Sequence, residues 1–101
     1  MKTIETIPSD WSGTSKIFVA LGDEQRQRIL LAFEPNERMH ITQIVAASTL
    51  SRSAVTYHLN VLRDSGILQS EKVGKEVFFW INKALMATAL KSVLNYVETE
   101  I

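Results

Sequence analysis

Between Leu50 and Leu59 the chain reads Leu-Ser-Arg-Ser-Ala-Val-Thr-Tyr-His-Leu. On a helical wheel Val55, Leu59 and Leu62 gather on one face, the spacing of a helix docked by its apolar side. Ser53, Thr56, Tyr57 and Asn60 fall on the opposite side, and Arg52 lies at the flank in the first turn. Groups of this kind suit a DNA major groove. Arg52 can make a bidentate contact to guanine or neutralise a phosphate. Ser53 and Thr56 are short donors that let a helix approach base edges closely, and the Thr56 methyl can meet a thymine methyl. Tyr57 can reach a phosphate or lie against a sugar. Ser51 stands at the N-cap, where a helix end attracts phosphate. Each residue also has a plainer reading: Ser51 as a cap alone, Thr56 as a solvated side chain, Tyr57 as packing on a neighbouring helix. His58 falls nearer the buried face, one turn after Val55. That position predicts a packed, hydrogen-bonded histidine rather than a ligand or a pH sensor.

The elements that must hold this helix can be read on either side of it. Met1 to Asp10 has no clear period and contains Pro8, so it is expected to be a flexible arm ahead of one domain spanning 11–101. Ile17, Ala20 and Leu21 recur at helical spacing, and Gly22 is a natural stop. Asp23 can cap the next helix, with Glu24 favoured in its first turn. Ile29, Leu30 and Phe33 form its inward edge, Arg26 and Arg28 are expected on its other sides, and Pro35-Asn36 ends it. Thr42 is a plausible N-cap for a short helix from Gln43 to Ala47, with Ile44 and Val45 inward. Ser48-Thr49-Leu50 makes a turn, Ser51 caps the following helix, and Gly66 closes it. Leu68–Val73 and Glu76–Ile81 read as a two-stranded ribbon around Gly74-Lys75, a Gly-first pair that fits a tight hairpin turn. Lys72 and Lys75 flank its tip, with Glu71 and Glu76 diluting their charge. Val77, Phe79 and Ile81 share one face of the second strand, while Phe78 and Trp80 occupy the other. A ribbon apolar on both faces must be covered. Asn82 or Lys83 starts a last helix that reaches about Glu98. Leu85, Met86, Ala89, Leu90, Val93, Leu94 and Val97 give it an apolar stripe wider than one packing face needs. Such a surface on a terminal helix invites a partner chain.

The 101 residues suit one compact domain, and 46% hydrophobic with 22% charged residues is a globular composition. No apolar run approaches a membrane span, and no signal peptide opens the chain, so a soluble cytoplasmic protein is expected. The sequence holds no cysteine. Disulfides, thiolate metal sites and thiol redox sensing are thereby excluded together. The formal net charge is zero. Neutrality argues against nonspecific coating of nucleic acid, but phosphate contacts depend on where the charges sit.

Four segments, in order, resemble a known family. Ala20-Leu21-Gly22-Asp23-Glu24-Gln25-Arg26-Gln27-Arg28-Ile29-Leu30 is similar to an "L-x-D-x-x-R-x-x-I-L" opening helix. Leu50–Leu59 is similar to "L-S-x-S-x-V-S-x-H-L", and Leu62-Arg63-Asp64-Ser65-Gly66-Ile67-Leu68 to "L-R-x-A-G-L-V". Gly74-Lys75-Glu76-Val77-Phe78-Phe79-Trp80-Ile81-Asn82 is similar to a "G-R-x-V-Y-Y-x-L-N" wing. Together they resemble the ArsR/SmtB family of bacterial winged-helix repressors, from near Thr14 to Val97. Each piece alone is weak, and the four in order and spacing are strong. The resemblance implies a mainly α fold with a small β-hairpin, a winged helix-turn-helix. It implies a homodimer built from the first and last helices, with Ile17, Leu85, Met86, Ala89, Leu90, Val93, Leu94 and Val97 at the interface. It implies a repressor on an inverted-repeat operator in double-stranded DNA. Arg52, Ser53, Thr56 and Tyr57 match the DNA-facing positions, and the wing with Lys72 and Lys75 reaches the adjacent minor groove or backbone.

Many relatives release DNA on binding metal through a "C-x-C" pair, and His40 and Thr42 stand at those positions here. Others use Asp and His pairs on the last helix, and Asn82 to Glu98 contains neither residue. No metal site of either kind and no cofactor is expected. A small organic effector on the apolar surface, or a partner protein, is left open as the signal. Two rival functions are weaker. A protein–protein module would use Tyr57, Phe78 and Trp80 as an adhesive surface. An enzyme has little support, since the sequence offers no cysteine nucleophile, no paired carboxylates in a predicted pocket and no phosphate-cradling glycine loop.

Overall fold

A computed structural model of the chain describes residues 5–101. The expected arm falls partly on residues 1–4, which lie outside the described residues. Ser9–Trp11 forms a single 3-10 turn, and the Trp11 ring meets Tyr96 edge-on at 5.6 Å. Five α-helices follow among the described residues: α1 (Thr14–Leu21), α2 (Glu24–Leu31), α3 (Ile41–Ala47), α4 (Arg52–Ser65) and α5 (Lys83–Glu100). Three strands complete the fold: β1 (Met39–His40), β2 (Leu68–Val73) and β3 (Glu76–Ile81). The last helix thus runs one half-turn beyond the expected Glu98.

The helix ends are set by local chemistry. Asp23 accepts hydrogen bonds from the backbone N–H groups of Gln25 at 2.8 Å and Arg26 at 3.1 Å, which caps α2. Ser51 Oγ accepts from Ala54 N–H and opens α4, while Gly66 closes it at φ +89°, in the left-handed region open to glycine. Asn82 caps α5 through Leu85 N–H. The expected cap at Thr42 is displaced. His40 is the N-cap of α3, its backbone N–H donates to Gln43 Oε1 at 3.0 Å, and Thr42 lies inside the helix, exposed. Pairing of Met39 and His40 with the sheet brings the chain into α3 two residues early.

The ribbon is not two-stranded. The sheet has order β1-β3-β2, antiparallel throughout, with Met39 opposite Phe79 and Leu68 opposite Ile81. β3 is therefore paired on both edges. A bare hairpin is marginal in water, and a third strand plus helix packing is what makes it persist. Gly74 takes φ +63° at the turn, as the Gly-first reading requires.

One core joins the layers. Val55, Leu59 and Leu62 of α4 are at most 1% exposed and meet Ile44, Ile67, Leu68 and Phe79, with Ile17, Ala20, Ile29, Leu30, Met39 and Ala89 completing the cluster. Full burial of one such aliphatic side chain is worth about 1.5–3 kcal/mol, so α4 is held mainly by its inner stripe. The radius of gyration is 15.7 Å, against about 13 Å for a compact domain of this length. The molecule is elongated, 52 × 22 × 22 Å, and α5 is the least covered of its helices. Only Ala89 on it is buried, and beyond that residue Leu90, Leu94, Val97 and the terminal Ile101 remain exposed. No helix among the described residues is long and apolar enough to cross a membrane.

Candidate nucleic-acid interface

The outer face of α4 is open along its length. Ser51, Arg52, Ser53, Thr56, Tyr57 and Asn60 are all exposed. Their hydrogen bonds stay local. Thr56 Oγ1 donates to Arg52 O at 2.9 Å, which keeps the hydroxyl down along the helix and turns its other substituent outward. Arg63 donates to Asn60 Oδ1 at 3.0 Å, so Asn60 is braced by a cation that the sequence reading passed over. The Arg52 guanidinium reaches only as far as Thr42 Oγ1, at 3.5 Å. It is thus an exposed cation beside the entrance of α3, with no carboxylate among the described residues bound to it. Tyr57 is 61% exposed, which removes the reading that packs it on a neighbouring helix.

The hairpin adds a second patch. Lys72 and Lys75 are exposed on either side of its turn. The acids expected to dilute them are engaged elsewhere. Glu71 accepts from Arg38 at 3.0 Å, and Glu76 lies 3.9 Å from His40 Nε2. Such pairs contribute little to stability; Arg38 offsets the charge of Glu71 beside Lys72, while Glu76, facing an imidazole charged only when protonated, still offsets Lys75.

The other face of β3 is covered from within. The Arg38 guanidinium lies 3.9 Å from the centre of the Trp80 ring, and the Trp80 indole N–H donates to Gln69 across the strand pair at 2.9 Å. The His40 ring meets Phe78 edge-on at 5.6 Å. Arg38 and His40 reach these rings because β1 pairs with β3. Phe78 and Trp80 are therefore half-buried and do not form the adhesive patch of the protein–protein reading.

Arg26 departs most from expectation. It is not on an outer side of α2 but 8% exposed, and its three nitrogens each have a partner. Nε donates to Ala20 O at 2.8 Å and Nη2 to Val19 O at 3.1 Å, carbonyls at the C-terminal end of α1. Nη1 lies 3.2 Å from His58 Nδ1 on α4. A helix leaves its last carbonyls without partners of its own, and a buried guanidinium is tolerated only when its donors are used. The two needs meet here. His58 is packed and hydrogen-bonded as its spacing predicts. Asp23 is held below the usual carboxylate range, first by the backbone N–H of Arg26, against the opposing effect of desolvation. The Arg26 charge, the Gln25 N–H and His58 add to the lowering.

Among the expected interface positions, Ile17 and Ala89 lie in the chain's own core at 4% and 7% exposure and have almost no surface left for a partner. Leu85 and Met86 pack against that core, and Val93 is half-buried. Leu90, Leu94 and Val97 keep 42–55% of their surface, and α1 adds exposed Phe18 and Val19, which the sequence reading did not single out. Among the described residues no group of three or more His, Asp or Glu side chains is placed to hold a metal ion.

Sequence comparison meets this geometry at the same segments. The model of the family described as "Bacterial regulatory protein, arsR family" matches residues 23–70, from the cap of α2 through α4 into β2. An HTH-type transcriptional regulator of Methanocaldococcus jannaschii is 31% identical over 67 residues, covering 66% of this chain and 75% of that protein. The chain belongs to the arsR family. This arsR-family regulator is also 27% identical over 89 residues to the cadmium resistance transcriptional regulatory protein CadC of Listeria innocua, covering 88% of the chain and 75% of that protein. An ArsR-like transcriptional regulator from Rhodococcus sp. RHA1 superposes with a TM-score of 0.79 at 24% identity, over 90% of this chain and 85% of that one, and shares the fold. The relatives are transcriptional regulators and not enzymes, and the winged helix-turn-helix is the architecture of an arsR-family transcriptional regulator.

Proposed function

We propose that this arsR-family regulator is a homodimeric repressor that binds an inverted-repeat operator. Two copies of α4 enter successive major grooves, with centres roughly 34 Å apart. The observation that carries this is the division of α4. Its inner residues Val55, Leu59 and Leu62 are sealed, while Arg52, Ser53, Thr56, Tyr57 and Asn60 are exposed, Arg52 touching another element only at Thr42. Arg52, Ser53 and Thr56 read base edges, while Ser51, Tyr57, Lys72 and Lys75 hold phosphates. Asn60 sits further along the same face, held by Arg63.

Pairing rests on the stripe of Leu90, Leu94 and Val97, spaced for one side of α5 and left uncovered by the single chain. Regulation does not run through a thiolate site, because His40 and Thr42 stand where such relatives carry cysteines and the sequence contains none. The signal must bind one arrangement of the two α4 helices better than the other.

An Arg52→Ala, Thr56→Ala protein tests this reading against fragments of the source genome. It should remain folded, since both side chains are exposed, and lose about 1–3 kcal/mol of discrimination per base contact removed. Operator binding as tight and as selective as the parent's would refute the assignment.

A further inference from the structure

The Arg26–His58 contact joins α2 and the C-terminal end of α1 to the helix proposed for reading. Arg26 spans three elements with one side chain: two carbonyls at the end of α1, its own place on α2, and the middle of α4. His58 follows Tyr57 directly, and their rings lie 5.2 Å apart. The inward anchor of α4 and a residue of its outer face are thus adjacent on one turn.

The chemistry of the contact is one-sided. A guanidinium has five N–H donors and no acceptor. Nδ1 of His58 must then present its lone pair, and the ring proton sits on Nε2. Protonated histidine carries N–H on both nitrogens and has no lone pair to offer. The same 3.2 Å that is a hydrogen bond to neutral His58 becomes a contact between two cations. Around them, the cap of α2 supplies one opposing charge, Asp23, which is coupled to both Arg26 and His58, while Glu24 on α2 is exposed and paired with Arg28. On α4 itself the neighbour is the Tyr57 ring. α1 brings the Val19 and Ala20 carbonyls, and its Lys16 is exposed. The α3 segment Ile41–Ala47 has no charged side chain. On β2, Glu71 is paired with Arg38, and Lys72 is exposed in the wing. One carboxylate faces what would be two positive charges.

We propose that Arg26 and His58 are positioning residues for DNA reading, coupling α1 to α4 only while His58 is neutral, so that operator affinity falls on mild acidification. This inference rests on α4 being the helix that reads DNA. It carries a sign that plain electrostatics does not. Adding positive charge to a protein near phosphates strengthens binding, so any direct effect of protonating His58 or His40 would tighten the complex as pH falls. Loosening on acidification requires the geometry of α4 to change instead.

The test is fluorescence anisotropy of the full chain on one operator duplex taken from a genomic selection, at about pH 7.5 and about pH 5.5, with ionic strength fixed. The parent should lose about fivefold to tenfold in affinity, a part of what a hydrogen bond to a charged group is worth. His58→Gln offers an amide oxygen to Arg26 and does not titrate. It should bind within about twofold of the parent at the higher pH and keep that affinity at the lower. Circular dichroism of both proteins at both pH values confirms that each is folded. Parent affinity that is unchanged or tighter at the lower pH overturns the proposal, as does a His58→Gln protein that weakens alongside it. Failure of the underlying reading shows elsewhere: the Arg52→Ala, Thr56→Ala protein would then match the parent at the higher pH, whatever the pH response.

Discussion

Replacing Gly66 by alanine probes the junction between α4 and α5. Gly66 sits at φ +89° at the end of α4, and a Cβ there would come within 2.7 Å of Leu85 Cδ1 in the first turn of α5. Gly74 provides the comparison, at φ +63° with no atom within 4 Å of the same hypothetical carbon. Both substitutions incur the left-handed backbone cost of roughly 1–2 kcal/mol. Only Gly66→Ala must also displace a half-buried leucine, for about 1 kcal/mol more because the colliding atom is the far end of a side chain that can turn. The expected totals are about 2–3 kcal/mol for Gly66→Ala and about 1–2 kcal/mol for Gly74→Ala. Urea denaturation at fixed protein concentration reads the difference as a shift in midpoint with the slope unchanged. A double-mutant cycle with Leu85→Ala isolates the clash: Gly66→Ala in that background should cost about 1 kcal/mol less than in the parent. Equal losses from the two glycine substitutions, or strict additivity with Leu85→Ala, would show that Leu85 does not press on the helix end.

Other outcomes follow from the same geometry. Leu94→Glu alters a side chain 55% exposed in the single chain, so it should leave the fold intact and give a single-chain mass in sedimentation, whereas the proposed pairing requires a dimer mass from the parent. Lys72→Ala and Lys75→Ala should each lower the slope of log affinity against log salt by roughly 0.9, weakening all sequences alike. An unchanged slope would remove the hairpin tip from the phosphate contacts. Asp23 has its carboxyl lowered in the folded chain, so its contribution is present above the ordinary carboxylate value and is lost as pH falls through the lowered one. Asp23→Asn should therefore melt earlier than the parent near neutrality, and the gap should close as the pH falls below the lowered carboxyl value. A gap that persisted there would place the stabilisation outside the charge of Asp23.

Caps and periods were legible because they are short-range. Asp23, Ser51, Gly66 and Asn82 act on backbone groups within three residues, and the Val55, Leu59, Leu62 stripe repeats within one helix. From these alone come the outward set Arg52, Ser53, Thr56, Tyr57 and Asn60, the packed place of His58 and the Gly-first hairpin turn. β1 could not be found this way, since two residues carry no period, and its loss hid both the third edge of the sheet and the true start of α3. The pairing of Glu71, beside Lys72, with Arg38 also depends on that strand.

Arg26 marks the boundary between the two kinds of information. Its sequence neighbours put it on a polar side of α2, where arginine ordinarily stays solvated. Its burial is decided by carbonyls six and seven residues back and by an imidazole thirty-two residues ahead, brought together only when three helices dock. The same holds for Gly66 against Leu85 and for Trp80 beneath Arg38. The sequence by itself determined which face of α4 is buried and which is offered, because that follows from side chains on one helix. Tertiary structure alone decided what that helix is braced against, because a buried donor is satisfied by whichever acceptor folding brings within reach, wherever it lies along the chain.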